Sequence, residues 1–205
     1  MFGVSRSSLR QALKVLEIMG VVTQQVSRGT YLSDNASAIL AEPIDFLVLL
    51  DGISHHELFE ARMMLEPELA ARAAERATTD DLRALRGALT QMRRALSDQM
   101  RYIEGDVAFH DAVFAAAGNR VCQAMMRVVQ RAVLTSIART SGLTELERSF
   151  AFHKAIYVAI EKRRPDEARQ EMIQHLKFGR DRLLLATQKP AVGLAEKIAA
   201  MRAAL

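Results

Sequence analysis

The chain has 205 residues, half of them hydrophobic, and a formal net charge of +4. That is enough apolar material to bury a sizeable core, which excludes a disordered chain. Few Gly and Pro, no Trp and one Cys exclude a disulfide framework, disfavour sandwiches and barrels, and point to helices in a reducing cytoplasm. No secretory leader is legible, and no clean apolar run approaches the roughly 20 residues that a bilayer span needs, so no membrane partner is expected.

Taken in chain order, the first elements are a helix and a hairpin. Ser5 is a good N-cap, Leu9, Ala12, Leu13, Leu16 and Met19 recur at helical spacing, and Gly20 closes the helix. Val21 to Thr23 and Thr30 to Leu32 read as two short strands joined across Ser27-Arg28-Gly29. Residues 1–33 therefore form a head, and the small polar stretch that follows makes 34–43 a linker. The head carries four bases against one acid, whereas the remaining 172 residues carry 24 against 23. A basic head on a nearly neutral body suits a polyanionic partner for the head alone.

The body, 44–188, reads as an antiparallel bundle of about six helices, making the fold mainly α. Ser54 to Glu57 is a capping box opening a helix to about Ala77, with a kink expected at Pro67. A second cap at Thr78 to Asp81 precedes Leu82, Leu85, Leu89, Met92 and Leu96 on one stripe. Three further helices are expected over Tyr102 to Ala117, Val121 to Arg139 and Glu145 to Lys162, and Pro165 opens a sixth. Residues 189–205 read as a short helical tail. Met63, Met64, Met125 and Met126 are read as flexible core filler.

Ser5, Arg6, Ser7, Ser8 and Arg10 crowd the first turns of the head helix. Hydroxyls and N-terminal amides there grip phosphate, and Arg forks reach guanine edges in a major groove. Arg28 and Gly29 at the hairpin tip suit a wing beside a narrow minor groove. The same residues also fit an ordinary solvated basic face.

In the body, Asp106 and His110 are four apart and share a helix face. His153 lies on a stripe with Phe150, Ile156 and Ile160, and His175 on one with Met172, Leu176 and Leu183. A lone inward His is usually a core residue with one satisfied hydrogen bond. Three of them with an acid also make a ligand set for Zn, with Ni or Mn as alternatives. His55 and His56 have no apolar stripe and read as surface residues.

Two sets of words in the chain resemble a known family. VSRSSLRQALKVLEIMGVV followed by RGTYL resembles the second half of the winged helix-turn-helix of GntR-family bacterial transcription regulators. LFEARMMLEPELAARAAERAT, DVAFHDAVFAAAGN, FHKAIYVAIEKRRPDEAR and MIQHL resemble the all-helical FCD effector domain of the FadR-type branch. The resemblance implies Ser5, Arg6, Ser7, Ser8 and Arg10 as recognition-helix contacts and Arg28 and Gly29 as the wing. It implies a divalent metal on Asp106, His110, His153 and His175, and a homodimer on a DNA operator. Arg62 matches the effector-contacting Arg, although a surface salt bridge with Glu66 accounts for it equally well. Asn119 reads as a helix cap whose amide could also touch an effector. Family members carry about a helix and a half more before the recognition helix, so a truncated head with weakened DNA binding is expected.

The function expected is a DNA-binding regulator, a repressor, that senses a small carboxylate through the metal. The alternatives are a metal-dependent hydrolase, in which Glu104 or Asp111 would have to serve as base, and a DNA-incompetent sensor or dimerisation protein.

Overall fold

The computed structural model describes residues 5–25, 29–32, 54–139 and 145–188. Arg28, the linker and the C-terminal tail therefore lie outside the described residues. Helix α1 (Arg6–Ile18) is N-capped by Ser5, whose hydroxyl accepts from the Ser8 N–H. It ends at Met19 and Gly20, the latter in the left-handed region at φ 72°. Strand β1 (Val22–Gln25) pairs antiparallel with β2 (Gly29–Leu32), Val22 opposite Leu32 and Gln25 opposite Gly29.

Six helices follow among the described residues: α2 (His55–Arg76), α3 (Thr79–Arg94), α4 (Gln99–Ala116), α5 (Arg120–Arg139), α6 (Leu146–Glu161) and α7 (Pro165–Gln188). Both expected capping boxes form, Ser54 with Glu57 and Thr78 with Asp81. Pro67 sits inside α2 without ending it. Helix α4 begins three residues before the expected Tyr102, because Asp98 accepts from the Arg101 N–H and caps an extra turn.

The strongest packing pairs α2 with α7, α3 with α4, and α6 with α7, while α4 also lies against α2 and α6. The core is built from Leu85 and Met92 of α3, Phe109 and Phe114 of α4, Ile156 and Ile160 of α6, and Met172 and Leu176 of α7. Against these α2 presents Ala70, Ala73 and Ala74, small side chains that allow close helix approach. The carbonyls at the end of α2 have no intrahelical partner, and the Arg163 guanidinium donates to those of Ala74 and Ala77. The methionines divide: Met126 is buried and Met63 packs partly against the core, but Met64 and Met125 are 76% and 50% exposed and are not core filler. Their helix faces turn outward there, a matter of phase that residue type does not reveal. Among the described residues no helix is long and apolar enough to cross a membrane.

The α3–α4 crossing depends on Gly105. A Cβ there would lie 2.7 Å from Met92 Cγ and 3.1 Å from the Met92 backbone nitrogen. The side chain can yield, but the backbone of α3 cannot without moving the helix. Gly105→Ala should therefore cost about 1–3 kcal/mol in urea denaturation, the usual range for overpacking. Gly87→Ala, on α3 with nothing within 4 Å of the new Cβ, should instead gain up to about 1 kcal/mol of helix propensity.

Candidate metal centre

Three helices of the body deliver four donor side chains to one place. Asp106 and His110 project from α4, His153 from α6 and His175 from α7, and their donor atoms all lie within 4.8 Å of one another. All three imidazoles are buried, while the Asp106 side chain is 20% exposed and marks an edge that solvent reaches. Phe109, the neighbour of His110 on α4, sets its ring edge-on to His153 at 5.0 Å between centroids. The walls are therefore apolar and the donors converge inside them.

The hydrogen-bond partners assign the ring nitrogens. His153 Nδ1 lies 2.8 Å from the Ser149 carbonyl oxygen, an acceptor, so Nδ1 carries the hydrogen and Nε2 the lone pair. That lone pair lies 2.9 Å from Asp106 Oδ1. His110 Nδ1 lies 2.7 Å from Glu66 Oε2, an ion-pair contact without hydrogen-bond geometry; a hydrogen on Nδ1, facing that carboxylate, leaves the lone pair on Nε2. His110 Nε2 in turn faces His175 Nε2 at 3.0 Å. His175 Nδ1 is buried with no hydrogen-bond partner.

The electrostatics keep this cluster rich in lone pairs. Burial opposes ionisation of Asp106, and it is positive charge where His153 and, beyond it, His110 and His175 face the carboxyl that holds it well below the usual range. Burial, with repulsion from His153 and His110, pushes His175 well below the ordinary imidazole range. A carboxylate and an imidazole lone pair at 2.9 Å repel unless a cation lies between them. Two donors held at about 2.1 Å from one ion and at right angles to each other are about 3 Å apart, the spacing of both close pairs here. Three imidazoles and one carboxylate are a donor set that fits a divalent cation.

Behind the donors lies a pair for which the sequence left two readings equally open, an effector-contacting Arg62 or a surface salt bridge with Glu66. Arg62 and Glu66 of α2 are buried, with Arg62 Nε donating to Glu66 Oε1 at 2.5 Å. The expectation of a surface salt bridge is thus corrected. Burial raises the cost of charging Glu66, but Arg62 and then His110 outweigh it and hold its carboxyl at about 2. Glu66 was missed as a site residue because an Arg and a Glu four apart read alike on any helix face. The available signal was the stripe Phe59, Arg62, Glu66, Leu69, Ala73, on which both charges sit in phase with apolar neighbours. The terminal nitrogens of Arg62 have no hydrogen-bond partner among the described residues.

The other expected residues stand as follows. Asn119 is a cap, but of the following helix: its Oδ1 accepts from the Val121 and Cys122 N–H groups at 3.1 Å, while Gly118 takes the left-handed conformation at φ 75°. Asp111 is forked by Arg127 at 2.5 and 2.8 Å and is not a free base. His56 is exposed beside Glu60, and the His55 side chain lies outside the described residues. In the head, Ser5, Arg6, Ser7, Ser8 and Arg10 are all exposed around the first turns of α1. The Ser5 hydroxyl lies 2.7 Å from that of Ser7 and 2.9 Å from that of Ser8. Gly29 opens β2 at φ 107°, a conformation that favours glycine.

Comparison with known proteins supplies a second line. Residues 57–178 match the FCD domain. The chain is 35% identical to the HTH-type transcriptional regulator YcbG of Bacillus subtilis over 183 residues, covering 88% of this chain and 75% of that protein. It is 31% identical to LutR, an HTH-type transcriptional regulator of the same organism, covering 85% and 83%. It is 33% identical to the transcriptional repressor NanR of Cronobacter sakazakii, covering 85% and 70%. Among solved structures, a Streptococcus agalactiae GntR superposes with a TM-score of 0.70 at 24% identity, covering 87% of this chain and 82% of that one.

The buried Arg62–Glu66 pair yields a stability prediction. Arg62→Ala strands the Glu66 carboxylate in the core and should cost about 3–5 kcal/mol, the range for breaking a buried pair from one side. Urea denaturation of metal-free protein measures this, and a loss below about 1 kcal/mol, the ceiling for surface pairs, would show that the pair is solvated.

Proposed function

This chain belongs to the FCD-domain branch of the GntR-type transcription regulators, a family of regulators and not of enzymes, and on that premise we propose that it represses transcription under control of a metal-bound carboxylate. Asp106, His110, His153 and His175 hold the divalent ion, zinc or else nickel or manganese. The observation that carries this reading is the convergence of imidazole lone pairs on an ionised carboxylate inside an apolar wall. Four protein donors leave a coordination position open to the carboxylate of a small organic acid. The unpartnered end of the Arg62 guanidinium is the second anchor, its planar fork matching a carboxylate. Asn119 spends its side-chain oxygen on a cap, so only its amide nitrogen is left for an effector.

The head, residues 1–33, reads operator DNA in a cytoplasmic homodimer, and the body from 44 to 188 carries the sensor. Arg6 and Arg10, one turn apart on an exposed face, supply base contacts, while Ser5, Ser7 and Ser8 meet phosphate. Arg28 and Gly29 form the wing. Effector binding shifts the population between head placements of different operator affinity. The apolar face of α1 favours a second reading, a sensor or dimerisation protein without operator binding: Leu9 and Ile18 are 52% and 65% exposed.

Protein purified without chelator or immobilised metal should contain about one divalent ion per chain by elemental analysis. His153→Ala should lose most of it and His56→Ala none, whereas wild type that stays empty after incubation with Zn, Ni and Mn would end the metal reading. A ligand present at a hundredfold excess over its Kd stabilises the native state by about 2.7 kcal/mol. EDTA should therefore lower the Tm by about 5–10 °C for a chain of this length.

For DNA, selection from a random duplex pool should enrich a roughly palindromic site. Arg10→Ala should weaken binding to it by about one to two orders of magnitude, the worth of one bidentate Arg–guanine contact. Arg28→Ala should weaken binding evenly across sequences and flatten its salt dependence. Failure to enrich any site would favour the second reading.

A further inference from the structure

Among the described residues, Glu66 is the most deeply buried charge that none of the roles above uses. Its side chain is fully buried, on a helix that contributes no metal donor of its own. Its two oxygens face in different directions. Oε1 accepts from Arg62 Nε at 2.5 Å, and Oε2 lies 2.7 Å from His110 Nδ1. Arg62 donates to the first, and His110 Nδ1 stands within ion-pair distance of the second without hydrogen-bond geometry, so an ionised carboxylate suits both contacts.

We propose, resting on the metal-sensor reading above, that Glu66 is a positioning residue: it fixes His110 in the tautomer whose Nε2 binds metal and joins that ligand to Arg62. A hydrogen held on Nδ1 leaves Nε2 as the only lone pair the ring can offer, and it already points at His175 Nε2. Outer groups of this kind orient ligating imidazoles and raise their basicity. The same carboxylate holds Arg62 by Nε and leaves its terminal nitrogens without a hydrogen-bond partner among the described residues.

Glutamine at this position has the same shape and fails for a definite reason. If its carbonyl accepts from Arg62, its NH2 faces His110 Nδ1 and pulls the ring into the other tautomer, with the hydrogen on Nε2. If it is flipped, its NH2 meets the Arg62 N–H. Either way one contact is lost without a change in volume.

The test measures zinc affinity by competition with a chelating dye, on metal-free protein whose helical circular dichroism matches wild type. Glu66→Gln should bind zinc about 10–100-fold more weakly, the usual effect of removing such a partner. With cobalt in place of zinc, its visible spectrum should differ from that of wild type. Glu66→Asp, which keeps the charge, should recover part of the loss. A merely structural role would lower the metal-free Tm in both variants and leave the affinity of the folded protein unchanged, and that result overturns the proposal. If Glu66→Gln fails to fold, 15N NMR of metal-free wild type decides: His110 with its hydrogen on Nδ1 supports the proposal, and on Nε2 refutes it. Wild type that takes up no metal at all would instead defeat the metal-sensor reading.

Discussion

A carboxylate that must stay ionised inside a helical core needs positive or donor groups beside it, and Glu66 has Arg62 at 2.5 Å and His110 at 2.7 Å. That requirement reaches through much of the body. It holds α2 against α4 by charge as well as by the Ala70, Ala73 and Ala74 face, and it decides which nitrogen His110 turns inward. Asp106 repeats the pattern one shell further in, as an ionised carboxylate among imidazoles whose outer nitrogens are spoken for by Ser149 and Glu66. An apolar core of this size would hold the same helices together without either acid. The two carboxylates and three imidazoles add a cost in burial that a bound cation offsets. A fold stabilised by burial alone has no use for such a cluster.

The donors were legible in the sequence because each obeys the period of its helix. Asp106 and His110 are one turn apart, and His153 and His175 fall in phase with Ile156 and Met172, which are buried beside them. Caps were legible for the same local reason, since Ser54, Thr78 and Ser5 each bond an amide three residues on. What the sequence did not give was depth. Arg62 and Glu66 obey the i, i+4 rule of a surface pair and of a buried one equally well. Only the packing of α2 against α7 and α4 separates the two cases, and that is a tertiary fact. Asn119 shows the opposite limit: the cap was foreseen, but Gly118 absorbs the left-handed turn and frees Asn119 to serve the helix after it.

Helix α2 has a particular place in this arrangement. Among the described residues it is the first body helix after the head in chain order, and it holds both Arg62 and Glu66 without donating to the cluster itself. An anion that takes the free end of Arg62 therefore acts on α2 directly, and through Glu66 on a ligand of α4. A ligand shifts a conformational equilibrium only by its differential affinity for the two states, and moving from 1:99 to 99:1 takes about 5.5 kcal/mol. A single exposed ion pair, worth at most about 1 kcal/mol, does not reach that figure. A metal–carboxylate bond together with a desolvated guanidinium contact has the range to do so, and the proposed sensor site lies in the core, where both contacts would be desolvated.

The first turn of the head helix differs from that of most body helices. Four body helices place acids in their first turn, where the helix dipole favours them: Glu57 in α2, Asp80 and Asp81 in α3, Glu147 in α6, and Asp166 and Glu167 in α7. Helix α1 has no acid there and begins with Arg6, with Arg10 one turn on. Cations at that end oppose the dipole and weaken the helix by a few tenths of a kcal/mol each. The three hydroxyls crowded beside them bury nothing. A local arrangement that disfavours its own helix is compensated when an anion arrives: amides, hydroxyls and guanidinium groups then all face one phosphate-bearing surface.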